Sequence, residues 1–292
     1  MRVGVVFPQN EIGNDPLVIR DYAQAAEGLG YRHLLAYDHV LGADPAARPG
    51  WRGYSHEDAF HEPFVLFGYL AGLTAHMEFV TDVIVLPQRQ TALVAKQAAE
   101  VAVLSGGRLR LGVGVGWNAV EYAALGQDFH TRGKRIEEQI DLLRRLFRDP
   151  VVTFPGRWDR IEAAGLNPLP PGGSIPIWLG GSPDAVLARV VAMGDGWFPQ
   201  MGPEPGGRQA VERLRETAAA ADRDPATIGI EARLSLKGET LESLAELARA
   251  WQDIGATHIG VNTMDAGLPT PAAHIEAIGR IKAALDDHIE AR

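Results

Sequence analysis

The chain has 292 residues, 46% of them hydrophobic, and 28 Lys and Arg against 37 Asp and Glu give a net charge of −9. This acidic balance, without a basic run, argues against a nucleic-acid partner, because phosphate binding needs a cationic footprint. The lack of cysteine excludes disulfides, thiolate catalysis and Cys-ligated metal sites.

Residues 2–7 are a β-branched run closed by Pro8, which predicts a first buried strand. The run is too short for a signal peptide, and the apolar stretch 64–75 is too short to span a bilayer. A cytoplasmic protein away from the membrane is expected. Asp15-Pro16 supplies an N-cap and a first-turn proline for a helix ending near Gly30. Residues 33–37 form the second strand, which ends in Asp38-His39. The segment 42–61 is rich in Gly, Pro, Arg and aromatics, a lid, a binding loop or a disordered stretch by its length. Helix 64–75, strand 79–86 and helix 92–104 follow.

The stretch 105–122, SGGRLRLGVGVGWNAVEY, is the most informative. Leu109, Leu111, Val113 and Val115 fall on one face of a strand, and Arg108, Arg110, Gly112, Gly114 and Gly116 on the other. A face so bare lets a flat ligand, or another element, lie against the backbone. Beyond it, Ile136, Ile140, Leu143 and Phe147 mark one side of a helix. The pattern breaks over 151–173, with a hairpin expected around Pro155-Gly156, an insertion between the fourth helix and fifth strand. Strand 175–179, the helix opened by GGSPDA and the short strand Trp197-Phe198 come next. Helix 207–221, strand 228–236, helix 240–254, strand 257–262 and helix 271–288 complete the alternation. About eight strand–helix units predict a (β/α)8 barrel, one domain spanning 1–292.

Barrel sites lie at the C-terminal strand ends. Those positions hold Gln9, Asn10, Asp38, His39, Gly116, Trp117, Asn118, Gly180, Gly181 and Ser182, among others. His39 suits proton transfer near neutral pH, although on the residues alone a histidine hydrogen-bonded at a strand end is the simpler account. Gly180-Gly181-Ser182-Pro183 could open a helix over a phosphate, with Ser182 as its cap. An ordinary capped turn accounts for the same spacing. GVGVGW is not a dinucleotide fingerprint, because Trp117 stands at its third glycine, and His56 with His61 misses HExxH by one residue. No metal site is expected.

Taken together, AEGLGYRHLLAYDHVLG, the run FVTDVIVLPQRQTALVAKQAAEVAVLSGGRLRLGVGVGWNAVEY, RGKRIEEQIDLLRRLF, PIWLGGSPDAVLARV and GDGWFPQ resemble the bacterial luciferase-like flavin-dependent oxidoreductases. The resemblance is closest to the branch that uses the deazaflavin coenzyme F420. It implies a barrel with a flavin or deazaflavin ring over the strand ends, backed by a non-prolyl cis peptide at Asp82-Val83. It also implies His39 near the ring and residues 180–182 as the phosphate loop. Asp38, Gly114, Gly116, Trp117, Asn118 and Leu179 complete the implied cofactor site. The sugar-phosphate dehydrogenases of that branch carry a glutamate acid directly after the glycine-rich strand. Here that position is Trp117, which cannot donate a catalytic proton, so sugar-phosphate oxidation is not expected.

The expected activity is hydride transfer between F420 and a small organic substrate, with His39, oriented by Asp38 or a backbone group, handling the substrate proton. Trp51, Trp117 and Trp197 are expected to shape an apolar pocket under the 42–61 lid. An FMN-dependent monooxygenase fed by a partner flavin reductase is the alternative, and a non-catalytic flavin-binding barrel a second. The resemblance implies a homodimer.

Overall fold

A computed structural model describes residues 1–288. In chain order the first half contains β1 (Arg2–Val6), α1 (Pro16–Gly28), β2 (His33–Ala36), α2 (Pro63–Ala71), β3 (Glu78–Thr81), β4 (Ile84–Val85), α3 (Thr91–Leu104), β5 (Leu109–Gly114), α4 (Ala119–Ala124) and α5 (Arg132–Arg148). The second half contains β6 (Val152–Pro155), β7 (Arg160–Ala164), β8 (Ile177–Gly180), α6 (Asp184–Met193), β9 (Gly196–Phe198), α7 (Arg208–Ala220), β10 (Gly229–Ser235), α8 (Leu241–Ile254), β11 (His258–Asn262) and α9 (Pro271–Asp286). The sheet closes, since β1 pairs with both β2 and β11, and all its pairings are parallel. Eight strand positions surrounded by helices make a TIM-like barrel.

One predicted strand is two. Residues 79–86 read as continuous, yet β3 and β4 are separate segments that both pair with β5, at Phe79↔Leu109 and Ile84↔Val113. The break falls at Asp82-Val83, whose peptide bond is cis. The β6–β7 hairpin is antiparallel and forms a separate two-stranded sheet, with Val152 and Phe154 packed into the main core.

Local chemistry explains the element ends. Asp15 accepts the Leu17 N–H (2.9 Å) with Pro16 at the first helical position of α1. Thr240 and Ser243 form a reciprocal capping box on α8, and Gly255 ends that helix in the left-handed region at φ 106°. In β5, Leu111 and Val113 face the helices as part of the main core.

The lower barrel interior is polar and built around buried ion pairs. Arg110 bridges Glu231 and Glu78 and lies 4.3 Å over the Trp178 ring, while His33 Nε2 meets the other Glu231 oxygen. Burial alone would raise the Glu231 pKa, but Arg110 and His33 pull it down to about 2. Small residues make room for this filling. A Cβ on Gly4 would lie 2.2 Å from the His33 ring, and one on Gly196 2.2 Å from Trp178. Among the described residues no helix is long and apolar enough to cross a membrane.

Candidate active site

The C-terminal strand ends enclose a cavity of about 390 Å³, within the range of small-molecule and cofactor sites. Tyr37, Asp38 and His39 contribute from β2, and Asp82, Val83 and Val85 from the third strand position. Residues 114–117 line it after β5, Gly180 and Gly181 after β8, and Gln200 and Arg233 beyond.

His39 sits under the 42–61 segment, its ring 4.7 Å from Phe60, 5.0 Å from Tyr54 and 5.8 Å from Trp117. Its orienting partner is neither Asp38 nor a backbone group. Glu121, on α4, places both carboxylate oxygens 3.4 Å from His39 Nδ1. The Val40 and Leu41 N–H groups donate to Glu121 Oε1 at 2.7 and 3.2 Å, so one carboxylate fixes both the ring and the chain that follows it. Burial would raise the Glu121 pKa, but His39 and these backbone donors hold it below the usual carboxylate range. With Nδ1 engaged, Nε2 is the ring nitrogen without a partner among the described residues.

No motif or spacing signals this pairing. The Asn118-to-Glu121 spacing is legible as a helix start, and Asn118 does cap α4 by accepting the Val120 and Glu121 N–H groups. Nothing in that spacing shows that Glu121 reaches a residue 82 positions earlier. Asn118 is buried and absent from the cavity lining, so its side chain serves the helix rather than a ligand.

Asp38 is likewise occupied. It pairs with Arg89 at 2.6 Å and accepts the Val85 N–H at 2.9 Å, tying the end of β2 to β4. Leu179 packs into the main core, not the cavity. Trp197 is fully buried, and its indole N–H donates to the Gly181 carbonyl at 2.7 Å. It supports the loop from beneath and forms no pocket wall. Trp117 lines the cavity, whereas Trp51 is absent from its lining and packs on the Trp117 ring, with centroids 5.6 Å apart. Trp117 also presses on Gly53, where a Cβ would lie 1.9 Å from the indole. The 42–61 segment is thus clamped over His39.

The bare face of β5 meets protein before any ligand. A Cβ on Gly112 would lie 1.9 Å from the Thr81 carbonyl, and one on Gly114 2.6 Å from Val83 Cγ2. Gly180 approaches Val83 from the other side, with its Cβ position 3.0 Å from Cγ1. These glycines seat Val83, and Val83 forms the cavity floor. After Gly181, α6 begins at Asp184 with Pro183 in the capping position and no side-chain cap. Ser182 therefore does not cap it, and the N–H groups of Asp184 and Ala185 have no side-chain partner. An apolar floor, a histidine and an uncapped helix start suit a flat cofactor with a phosphate-bearing tail.

Residues 1–284 match the luciferase-like monooxygenase family. The chain belongs to that family. As a luciferase-like enzyme it is an oxidoreductase. An uncharacterised Mycobacterium tuberculosis protein is 35% identical over 246 residues, covering 81% of this chain and 82% of that one. The F420-dependent glucose-6-phosphate dehydrogenase of Mycolicibacterium smegmatis is 29% identical over 252 residues, covering 83% and 71%. The luciferase-like fold is also that of the monooxygenase RslO1 from Streptomyces bottropensis, with TM-score 0.80, 17% identity and coverage of 99% and 98%.

Proposed function

We propose that this luciferase-like enzyme uses the deazaflavin F420 to move a hydride to or from a small organic substrate. The observation that carries it is His39, locked by Glu121, beside the Val83 floor in a cavity that also includes Gly180 and Gly181 ahead of an uncapped helix. The F420-dependent relative supports the deazaflavin over FMN. Bound there, the deazaflavin supplies the ring carbon that gives or takes the hydride.

The chain's own residues do the rest. Val83, Val85 and Gly116 would hold the ring, and the uncapped start of α6 would hold the tail phosphate. Glu121 accepts from Nδ1–H of His39, which fixes the tautomer that leaves Nε2 as a base toward the substrate hydroxyl. In the reverse direction protonated Nε2 returns that proton to the developing alkoxide. Tyr54, Phe60 and Trp117 cover the histidine and limit water access. The chain acts as one domain in a cytoplasmic homodimer.

Titrating pure protein separately with F420 and with FMN, followed by ring fluorescence, tests the assignment. Tight FMN binding without deazaflavin binding would refute it. An FMN-dependent monooxygenase is the second reading, favoured by the net charge of −9, since the deazaflavin tail is polyanionic. It predicts oxygen consumption when candidate substrates are added with reduced FMN, which a partner reductase supplies. Absence of turnover in the wild type would instead support a binding-only barrel.

A further inference from the structure

The same cavity has a second polar wall, built from the third and seventh barrel strands, with no role in the proton transfer above. Asp82 lines the cavity with its side chain only 5% exposed, and its carboxyl has no hydrogen bond among the described residues. A carboxylate so buried normally has direct donors. The nearest cation, Arg233 Nη1, is 3.7 Å from Oδ2, beyond hydrogen-bond distance. Arg233 is itself held by neutral acceptors, donating to Tyr37 Oη at 3.2 Å and to Gln200 Oε1 at 3.0 Å. Its side chain remains 36% exposed toward the cavity it lines. The guanidinium thus faces the carboxyl as a long ion pair of 3.7 Å, with no hydrogen bond between them. Directly below, the two terminal nitrogens of Arg110 are taken by Glu231 and Glu78.

We infer that Asp82 and Arg233 form a recognition subsite for the acidic group of the substrate, a carboxylate on an apolar body, which binds together with one proton. The substrate carboxylate accepts from Arg233 and becomes its contacting counter-charge. Two ionised carboxylates at one guanidinium repel, so Asp82 takes up a proton and donates it as a hydrogen bond to the incoming oxygen. The apolar body then lies toward Tyr54 and Trp117.

The charged and titratable groups facing Asp82 are Arg233 and Glu231 from β10, Arg110 from β5 and the Tyr37 hydroxyl beyond β2. Burial pushes the Asp82 carboxyl up, Arg233 and Arg110 oppose this, Glu231 adds to it, and the result is about 7. Proton uptake is therefore available near neutral pH. In the free protein the proton is already present below that value and must be acquired above it. Anion affinity is then constant on the acid side and falls about tenfold per pH unit on the alkaline side.

The inference rests on this cavity being the substrate site, not on which cofactor occupies it. Benzoate and its neutral isostere benzamide are titrated calorimetrically into the full chain at about pH 6 and about pH 8, in two buffers of different ionisation enthalpy. Benzoate should bind at the lower pH, weaken about tenfold at the higher, and take up a proton there, while benzamide shows neither effect. Asp82→Asn should bind benzoate equally at both pH values. Arg233→Gln should lose more than about tenfold at the lower pH. The subsite is overturned if the wild type shows no saturable benzoate binding up to about 10 mM, if benzamide binds as well as benzoate, or if Asp82→Asn keeps the pH dependence. Should Arg233→Gln fail to fold, the wild-type and Asp82→Asn titrations still decide. F420 fluorescence titrations on the same samples separate the two conclusions. Loss of F420 binding alone, with benzoate binding intact, counts against the cofactor assignment only. Loss of F420 affinity in both variants, with benzoate affinity intact, overturns the subsite.

Discussion

Replacing Glu121 by Gln is the sharpest test of the proton-handling assignment. The carboxylate presents acceptors to the Val40 and Leu41 N–H groups and to His39 Nδ1, and its side chain is 1% exposed. Gln keeps one carbonyl for the backbone donors and turns its NH2 toward the imidazole. That geometry favours the tautomer with the proton on Nε2, which cannot accept from a substrate hydroxyl. Turnover, followed as the change in F420 absorbance, should fall about 10²- to 10⁴-fold, the range associated with a positioned acid–base group. Weakening the charge-assisted bonds to two backbone donors should cost about 1–3 kcal/mol of stability in urea unfolding. The pH dependence has a fixed sign. The folded pKa of Glu121 lies below its usual 4.5, so its ionic contribution is present above that value and disappears as pH falls through the folded pKa. The stability gap between wild type and E121Q should thus be constant above 4.5 and narrow in acid. Turnover within about threefold of wild type, in a folded variant, would refute the orienting role.

Three further outcomes follow from contacts already described. Gly114→Ala drives a methyl against Val83 Cγ2 and should destabilise by about 1–3 kcal/mol in denaturant unfolding, with weakened cofactor fluorescence titrations as the second readout. Asp38→Asn leaves Arg89 without its short ion pair and weakens the acceptor for the Val85 N–H; a loss of about 3–5 kcal/mol is expected on thermal or urea melts. Trp117→Ala removes a half-exposed side chain and should cost little global stability, but it unclamps the 42–61 segment at Gly53 and Trp51. Limited proteolysis within 42–61 should accelerate, and substrate KM should rise more than kcat falls.

The barrel was legible because its signals are local. β-branched runs, amphipathic helices and glycine or proline punctuation recur along the chain, and Asp15-Pro16 opens a helix as read. The break in the third strand was invisible to periodicity, since 79–86 keeps a strand composition through Asp82. Only the family resemblance pointed to the cis bond there. Residue type identified His39, but its true partner lies on a helix six residues long beyond the glycine-rich strand. Asp38 stood next to the histidine in sequence and turned instead to Arg89. Trp197 shows the same limit, because a three-residue strand cannot reveal which face of the sheet its aromatic takes. The glycines of β5 were read as clearance, and the clearance is real, but most of it is taken by the neighbouring strand.

The polar filling of the lower barrel makes several positions inseparable in descent. Alanine at Gly4 would collide with His33, and a side chain at Gly196 or Gly229 would collide with Trp178. His33 and Arg110 in turn are what make a buried Glu231 tolerable. Substitutions here must therefore travel as a set, and a lineage that drifts at one of these sites alone passes through a protein with a stranded charge or a blocked barrel. Correlated exchange at these positions, rather than conservation of each one singly, is the pattern this interior would leave among related sequences.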